Sequence, residues 1–574
     1  MTTEGDMTEG FDFDWLVIGS GFGGSVAALR LSEKGYRVAV LEAGGRFTDA
    51  DLADSAGKPH RYYFLPAFGM RGIFRPTLFK DVLVASGAGV GGGSLGYANT
   101  LYRPKPEFAD HPQWAHLGDW HTELAPHFDT AERMLGVVAY DRDDAADQLL
   151  REYADSHGCA DTYARARIGV FLGQPGRHIP GKTVPDPYFG GAGPDRAACV
   201  RCGGCMLGCP HNAKNTVEKN YLWFAERNGC RILPERTVTE IRPLGDAGGS
   251  DGYAVASVHS GSWVRRDRRT LTARGVVVAA GALGTNRLLL RCKLSGSLPR
   301  LSDRLGELVR TNSESILAVT VPDDSYDFAT GVALSSGIEP DVNTHIQPPT
   351  YGADGDMMSL LTTLATSRGS RRTRPLYFLT TVLRHPRQLL RVARIRHSSR
   401  RTMLLTTMQS VDDSISLRVR FRLPSGYPVL TTNPDPQHPI PSFIPAGYRA
   451  AEWIAAKTGG VVRAAVPEAI LSIPTTAHFL GGAPIGDGPA TGVVDARHRV
   501  FGYTGLLVCD GAAIPANVGV NPSLTITAMA ERAMSFVPAK PGAALPQPIR
   551  FTADFPTAPD ASAPYPAAPD SGEQ

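Results

Sequence analysis

The chain has 574 residues, too many for one compact core, so two or more domains are expected. It is 42% apolar and 20% charged, with a formal net charge of +3. This is the balance of a soluble globular protein and argues against a chain that coats nucleic acid. No apolar run approaches the roughly 18 residues of a membrane-spanning helix.

The N-terminus, MTTEGDMTEGFDFDWLVIG, is acidic and lacks the basic region, apolar region and cleavage site of a secretory signal. The expectation is a cytoplasmic, reducing compartment with free thiols. Phe13–Ile18, FDWLVI, reads as a buried parallel strand; SVAALRLSEKG then has helical spacing, and YRVAVLEAG is a second strand. Between the first strand and the helix, Gly19, Gly21 and Gly24 make G-x-G-x-x-G. The first glycine permits the turn, the second admits a pyrophosphate to the backbone, and the third lets helix and strand pack closely. The phosphate would then meet unpaired N–H groups at the positive end of the helix. Glu42 ends the second strand about twenty residues on, placed for a ribose diol and repelling a 2′-phosphate. The motif alone does not separate FAD from NAD.

Further along, ASGAGVGGGSLGYANTLYRP (85–104) carries Gly89, Gly91, Gly92 and Gly93 within five positions, baring main chain for a large flat ligand. Cys199, Cys202, Cys205 and Cys209, followed by Pro210, have the C-x2-C-x2-C-x3-C-P spacing of bacterial iron–sulfur proteins. Zinc on four thiolates and unligated thiols stay open as alternatives. GVVVAAGALGTNRLLLR (275–291) repeats strand, small-residue turn and helix. Residues 368–401 hold eleven arginines and no acid, interleaved with Leu, Phe, Val and Ile. Such a segment reads as a peripheral contact with an anionic membrane, or as a solvated helix face or lid. GLLVCDGAAIPA (505–516) is a third strand running into a glycine turn, with the helix PSLTITAMAERAMSF after it. The tail from Val537, with nine prolines in 38 residues, is expected to be unstructured.

On the glycine run, on VVVAAGALGTNRLLL and on DGAAIPANVGVNPSLTITAMAERA, the chain over residues 11–536 resembles the glucose–methanol–choline (GMC) oxidoreductases. These are flavoproteins that oxidise alcohols, and within them the likeness is to the bacterial, mycobacterial-type cholesterol oxidase branch. The resemblance implies an α/β fold: a Rossmann-like FAD-binding domain assembled discontinuously, with an α+β substrate domain containing an antiparallel sheet. The expected division gives 11–104, 211–293 and 466–536 to FAD binding and 294–465 to substrate. A linker and substrate-domain segment with the cysteine motif fills 105–210, and a disordered tail 537–574. The implied reaction is hydride transfer from the 3β-carbinol of a sterol to FAD, with electrons passed to O2.

The resemblance makes His478, in TTAHFLGG, the catalytic histidine and Asn521, in GVNPS, its polar partner, which also touches the flavin edge. Phe22, Gly23 and Gly93 join the cofactor contacts, Val238 offers backbone to the adenine, and Asp510 with Gly511 closes the flavin end. Where better-known relatives have Asn-Gly-Gly-Met, this chain has Tyr97–Thr100, so Asn99 is the candidate for the asparagine's role. Moving the 5,6 double bond to 4,5 would fall to His345 or Gln347, Glu339 being close in sequence but out of register. Some GMC dehydrogenases carry an iron–sulfur centre near the cysteine motif. The alternative reading is therefore a dehydrogenase for another hydrophobic alcohol, passing electrons through a [4Fe–4S] cluster to a protein or quinone. A further rival is a flavin-binding redox relay.

Overall fold

Phe13–Ile18 forms the expected strand, with Leu16 and Val17 wholly buried. The computed structural model describes residues 10–55, 58–173, 179–262, 267–366, 369–422 and 427–553. This first strand pairs in parallel with Val38–Leu41 on one side and with the C-terminal half of Arg269–Val278 on the other. Arg231–Leu233 and Leu506–Val508 extend the parallel run at either side. The N-terminal half of Arg269–Val278 continues antiparallel to Tyr253–His259, and Arg236–Pro243 completes a seven-stranded sheet. Strands from three distant stretches, 13–41, 231–278 and 506–508, thus share one sheet. Its central members Phe13–Ile18, Val38–Leu41, Leu506–Val508 and the end of Arg269–Val278 are apolar runs buried on both faces.

Helices Phe22–Glu33 and Ser523–Ser535 pack side by side against this sheet, and Trp120–Leu135 packs on the latter. The segment 105–210 is therefore divided. Trp120, Leu124 and Phe128, at helical spacing, join the core around the parallel sheet, whereas Ala164–Arg165 adds a strand to the second sheet.

That second sheet has seven antiparallel strands in the order Thr362–Leu364, Val461–Ala465, Ser315–Thr320, Thr402–Gln409, Thr344–Gln347, Ser336–Asp341, Ala164–Arg165. Its Leu317, Ile338, Ile346 and Leu405 pack with helix Pro445–Thr458 in a separate core. By strand alternation His345 and Gln347 point to the opposite face from Ile346. A small third sheet ties the two regions. Thr475–Thr476, just before His478, pairs with Leu83 and Val84 of the strand that leads into the glycine run.

The expectation of an unstructured tail fails for residues 537–553. Lys540 forms an ion pair with Asp14 at 2.9 Å, Phe551 lies 5.8 Å from Phe189, and Arg133 sits 4.1 Å over the Phe551 ring. A few well-placed side chains anchor a stretch whose proline-rich composition pointed the other way. Residues 554–574 lie outside the described residues.

Candidate active site

Three glycine turns meet at the C-terminal ends of the parallel strands, and their glycines fall into two kinds. A Cβ on Gly23 would lie 1.8 Å from the Cys509 carbonyl oxygen, on Gly24 2.0 Å from the Gly19 oxygen, and on Gly92 2.6 Å from the Gly21 Cα. Gly19 has φ +99° besides. These four are needed for backbone to touch backbone. Gly21 and Gly93, by contrast, have nothing within 3.8 Å and 4.0 Å of where a Cβ would stand. At these two positions the neighbouring atoms, Gly92 and Phe22, stand only at ordinary contact distance, so the backbone is not pressed from either side. Phe22, edge-on to Tyr97 at 5.5 Å, forms one wall.

Glu42 fastens these loops together. Its Oε2 accepts from the Ser20 backbone N–H at 3.1 Å and hydroxyl at 2.7 Å, and its Oε1 from the Gly44 N–H at 2.9 Å. Val238 lies at an irregularity in the pairing with Tyr253–His259. Asp510 accepts from the Thr285 hydroxyl at 2.5 Å and the Ala512 N–H at 2.8 Å, and burial pushes its carboxyl up to about 6. Gly511 accepts from the Gly481 N–H at 2.7 Å, so the loop carrying His478 is stitched to the loop after the last parallel strand. Asn99 is fully buried with φ +66°, and its side-chain amide is closed on the Leu334 backbone by two 3.0 Å hydrogen bonds. Its carbonyl accepts from the Gly169 N–H at 2.8 Å. These bonds make it a structural tie between the segment after the glycine run and the antiparallel sheet.

His478 and Asn521, 43 positions apart, come together with 3.3 Å between Nε2 and Nδ2. Two residues that sequence reasoning missed complete the group. Glu314, 4% exposed, brings Oε2 to 3.5 Å from His478 Nδ1 and accepts the Ala477 N–H at 2.7 Å. Asn312 approaches Nδ1 at 3.3 Å while donating to the Val520 carbonyl at 2.8 Å and accepting from the Gly519 N–H at 2.8 Å. With the Glu314 carboxylate beside Nδ1, the proton belongs on Nδ1, and the Nε2 lone pair accepts from the Asn521 amide. Asn521 Oδ1 is buried with no hydrogen-bond partner, an acceptor left for a bound molecule. The polar run RTNSES entering an apolar strand is the one trace of Asn312 and Glu314 in the sequence.

A second polar group lies on the antiparallel sheet. Neither ring nitrogen of buried His345 has a hydrogen-bond partner, nor does either amide head of fully buried Gln347. Glu339 Oε1 is 3.7 Å from His345 Nδ1, and Lys105 lies 3.4 Å from the other Glu339 oxygen. The Lys105 N–H donates to the Val518 carbonyl at 3.3 Å, which links this group to the Asn521 loop.

Cys199, Cys202, Cys205 and Cys209 line one small cavity with His211 and Gly331. Cys199 accepts from the Arg201 N–H at 3.3 Å and Cys209 from the Lys214 N–H at 3.4 Å. Burial pushes the Cys199 thiol up to about 12 and raises Cys202 and Cys205 as well, which favours neutral thiols. Among the described residues no three His, Cys, Asp or Glu side chains are grouped to hold a metal ion. A single zinc would need its sulfurs about 3.8 Å apart, given Zn–S bonds of about 2.3 Å.

With the geometry in place, comparison defines the class. Residues 14–337 match the family described as FAD dependent oxidoreductase, and residues 440–530 match the family described as GMC oxidoreductase. The chain belongs to the GMC family and is an FAD-dependent alcohol oxidoreductase. More particularly, it is 49% identical over 537 residues to a cholesterol oxidase of Mycobacterium tuberculosis, covering 92% of each chain. It is 43% identical over 533 residues to a cholesterol oxidase of Acinetobacter baumannii, covering 92% of this chain and 95% of that one. Among solved structures, a pyridoxine 4-oxidase from Mesorbium loti aligns with a TM-score of 0.58 over 91% of this chain and 99% of that one. At 16% identity this likeness concerns the fold alone. No helix among the described residues is long and apolar enough to cross a membrane.

Proposed function

We propose that the enzyme oxidises the 3β-hydroxyl of a cholesterol-type sterol to the ketone, with dioxygen as final acceptor. The observation that carries this reading is the buried, unpaired Asn521 Oδ1 beside His478, whose Nδ1 lies 3.5 Å from Glu314. The extended similarity to two cholesterol oxidases supplies the substrate class. FAD, when bound, supplies the acceptor for the hydride leaving the carbinol carbon. The open faces at Gly21 and Gly93 would receive its pyrophosphate, Glu42 its ribose, the Val238 backbone its adenine, and Asp510 with Gly511 its flavin end. His478 takes the hydroxyl proton at Nε2. Glu314 orients the ring through Nδ1–H and balances the positive charge that the ring then carries. Asn521 orients the alcohol or the flavin edge without titrating.

Isomerisation is the second step of this reading. It removes a proton from C4 of the ketone and returns one at C6, and His345, backed by Glu339, is the proposed carrier with Gln347 beside it. Its two unpaired ring nitrogens in a buried setting support that role. The test of the whole reading is an anaerobic mixing experiment. Cholesterol should bleach the yellow flavin absorbance and yield the conjugated 4-en-3-one. Bleaching by other alcohols only would give the site to another GMC alcohol dehydrogenase, and bleaching by a reduced protein only would make it a redox relay.

A second reading sends electrons through a [4Fe–4S] centre on Cys199, Cys202, Cys205 and Cys209 to a protein or quinone. Their spacing and shared cavity favour it; the lack of a metal-holding group among the described residues does not. Iron and acid-labile sulfide assays on anaerobically purified protein decide between the two, and less than one iron per flavin discards the cluster.

A further inference from the structure

The described part of the arginine-rich segment, residues 369–401, folds into helices Arg374–Arg384 and Pro386–Ala393, joined at His385. Phe378, Val382, Leu389 and Val392 turn inward and pack on Leu364 and Val461 of the antiparallel sheet, covering its edge strand. The outward face is not the polar one expected of a surface helix. Leu376, Leu379 and Leu383, at i, i+3 and i+7, are 65%, 53% and 70% exposed, and Leu390 on the second helix is 72% exposed. Around these leucines Arg384, Arg387, Arg394 and Arg396 are exposed and enter no ion pair among the described residues. No acidic residue occurs anywhere in the segment.

Leucines facing outward within a ring of unneutralised arginines do not suit water, and they do not suit a neutral protein surface. They match the boundary of an anionic bilayer, where leucine enters the acyl region and guanidinium stays at phosphate depth. The root of the hairpin is tied to elements that border the candidate active site. Arg371 forms an ion pair with Asp81 at 2.9 Å, beside the strand Leu83–Gly87 that enters the glycine run. Helix Arg374–Arg384 also packs on helix Val466–Leu471, whose Glu468 accepts from the hydroxyl of Ser315, next to Glu314. We propose that the hairpin 374–393 docks the enzyme on anionic phospholipid, with Leu376, Leu379, Leu383 and Leu390 as the inserted edge. The inference stands apart from the sterol reading, although a bilayer is where such a substrate would lie.

Flotation of the flavin-loaded full-length protein with sterol-free vesicles tests it, so that failure of the substrate reading leaves the outcome untouched. Vesicles of phosphatidylcholine with one-third phosphatidylglycerol should carry the protein upward, with binding that weakens as salt rises; pure phosphatidylcholine should not. Arg384→Gln/Arg387→Gln should weaken binding about 30-fold. Leu379→Ser/Leu383→Ser/Leu390→Ser should abolish the part that resists salt. Both variants should keep the parent's flavin absorbance, melting temperature and turnover of detergent-dispersed alcohol. The proposal is overturned if the parent ignores anionic vesicles, or if both variants bind as it does. It is also overturned if the leucine variant changes the oligomeric state while vesicle binding persists, which would make this face a contact between copies.

Discussion

Two polar groups, one at the glycine turns and one on the antiparallel sheet, are treated in opposite ways. Around the parallel sheet, Glu42, Asp510 and Asn99 each have their polar atoms engaged by backbone or hydroxyl groups, and the glycines let main chain meet main chain. On the face of the antiparallel sheet opposite Ile346, His345 and Gln347 are buried without hydrogen-bond partners. A region that holds a large common cofactor can be finished in advance. Under the proposed function, the group at His345 and Gln347 keeps its donors and acceptors unpaired for the alcohol to meet.

This contrast can be broken by substitution. The largest effect is expected at Gly23→Ala, where the new methyl would meet the Cys509 carbonyl oxygen at 1.8 Å. Backbone cannot yield that far, so the protein should be isolated with less than about a tenth of its flavin, read from absorbance. Gln347→Leu, by the same logic, should leave flavin content and melting temperature at or above the parent's while raising KM.

Next in size is His478→Gln, expected to lower the anaerobic flavin-reduction rate by about 10²–10⁴-fold with flavin retained. Glu314→Gln should lower that rate by about 10–100-fold with KM nearly unchanged, and Glu314→Asp should restore part of it. An unchanged rate in Glu314→Gln would remove the carboxylate from the account of the histidine.

The smallest effect is on stability. Burial pushes Glu468 up from an ordinary value near 4.5 to about 7, despite hydroxyl donors at 3.0–3.1 Å from Ser315 and Tyr448. The folded state therefore holds the extra proton between those values, and stability falls as pH rises through that window, by on the order of 3 kcal/mol at most. Melting curves from pH 5 to pH 8 should slope downward in the parent, and Glu468→Gln should flatten that slope.

What the sequence discloses follows from how local each signal is. The turn at Gly19–Gly24 is legible because strand, glycine spacing and helix are contiguous. The amphipathic helices at 374–393 are legible from periodicity, though which face lies outward is not. Glu314 and Asn312 escape notice because their partner, His478, is more than 160 positions away and is brought near only by strand Ser315–Thr320 and the bridge between Arg310 and Leu480. Asn99 shows the converse: a residue carried over by resemblance turns out to be engaged with Leu334, a contact that nothing nearby in the chain announces. For the tail, average composition outweighed the single residues Lys540 and Phe551 that fix it.

The strand Leu506–Val508 closes the parallel sheet, and the Cys509 carbonyl that follows it presses against Gly23 of the first turn. On the ribosome these partners emerge 486 residues apart. The nascent chain must carry an incomplete nucleotide cleft, with an apolar sheet edge uncovered, until residues 506–509 have emerged. Products truncated before residue 506 should be recognised by proteases as unfinished.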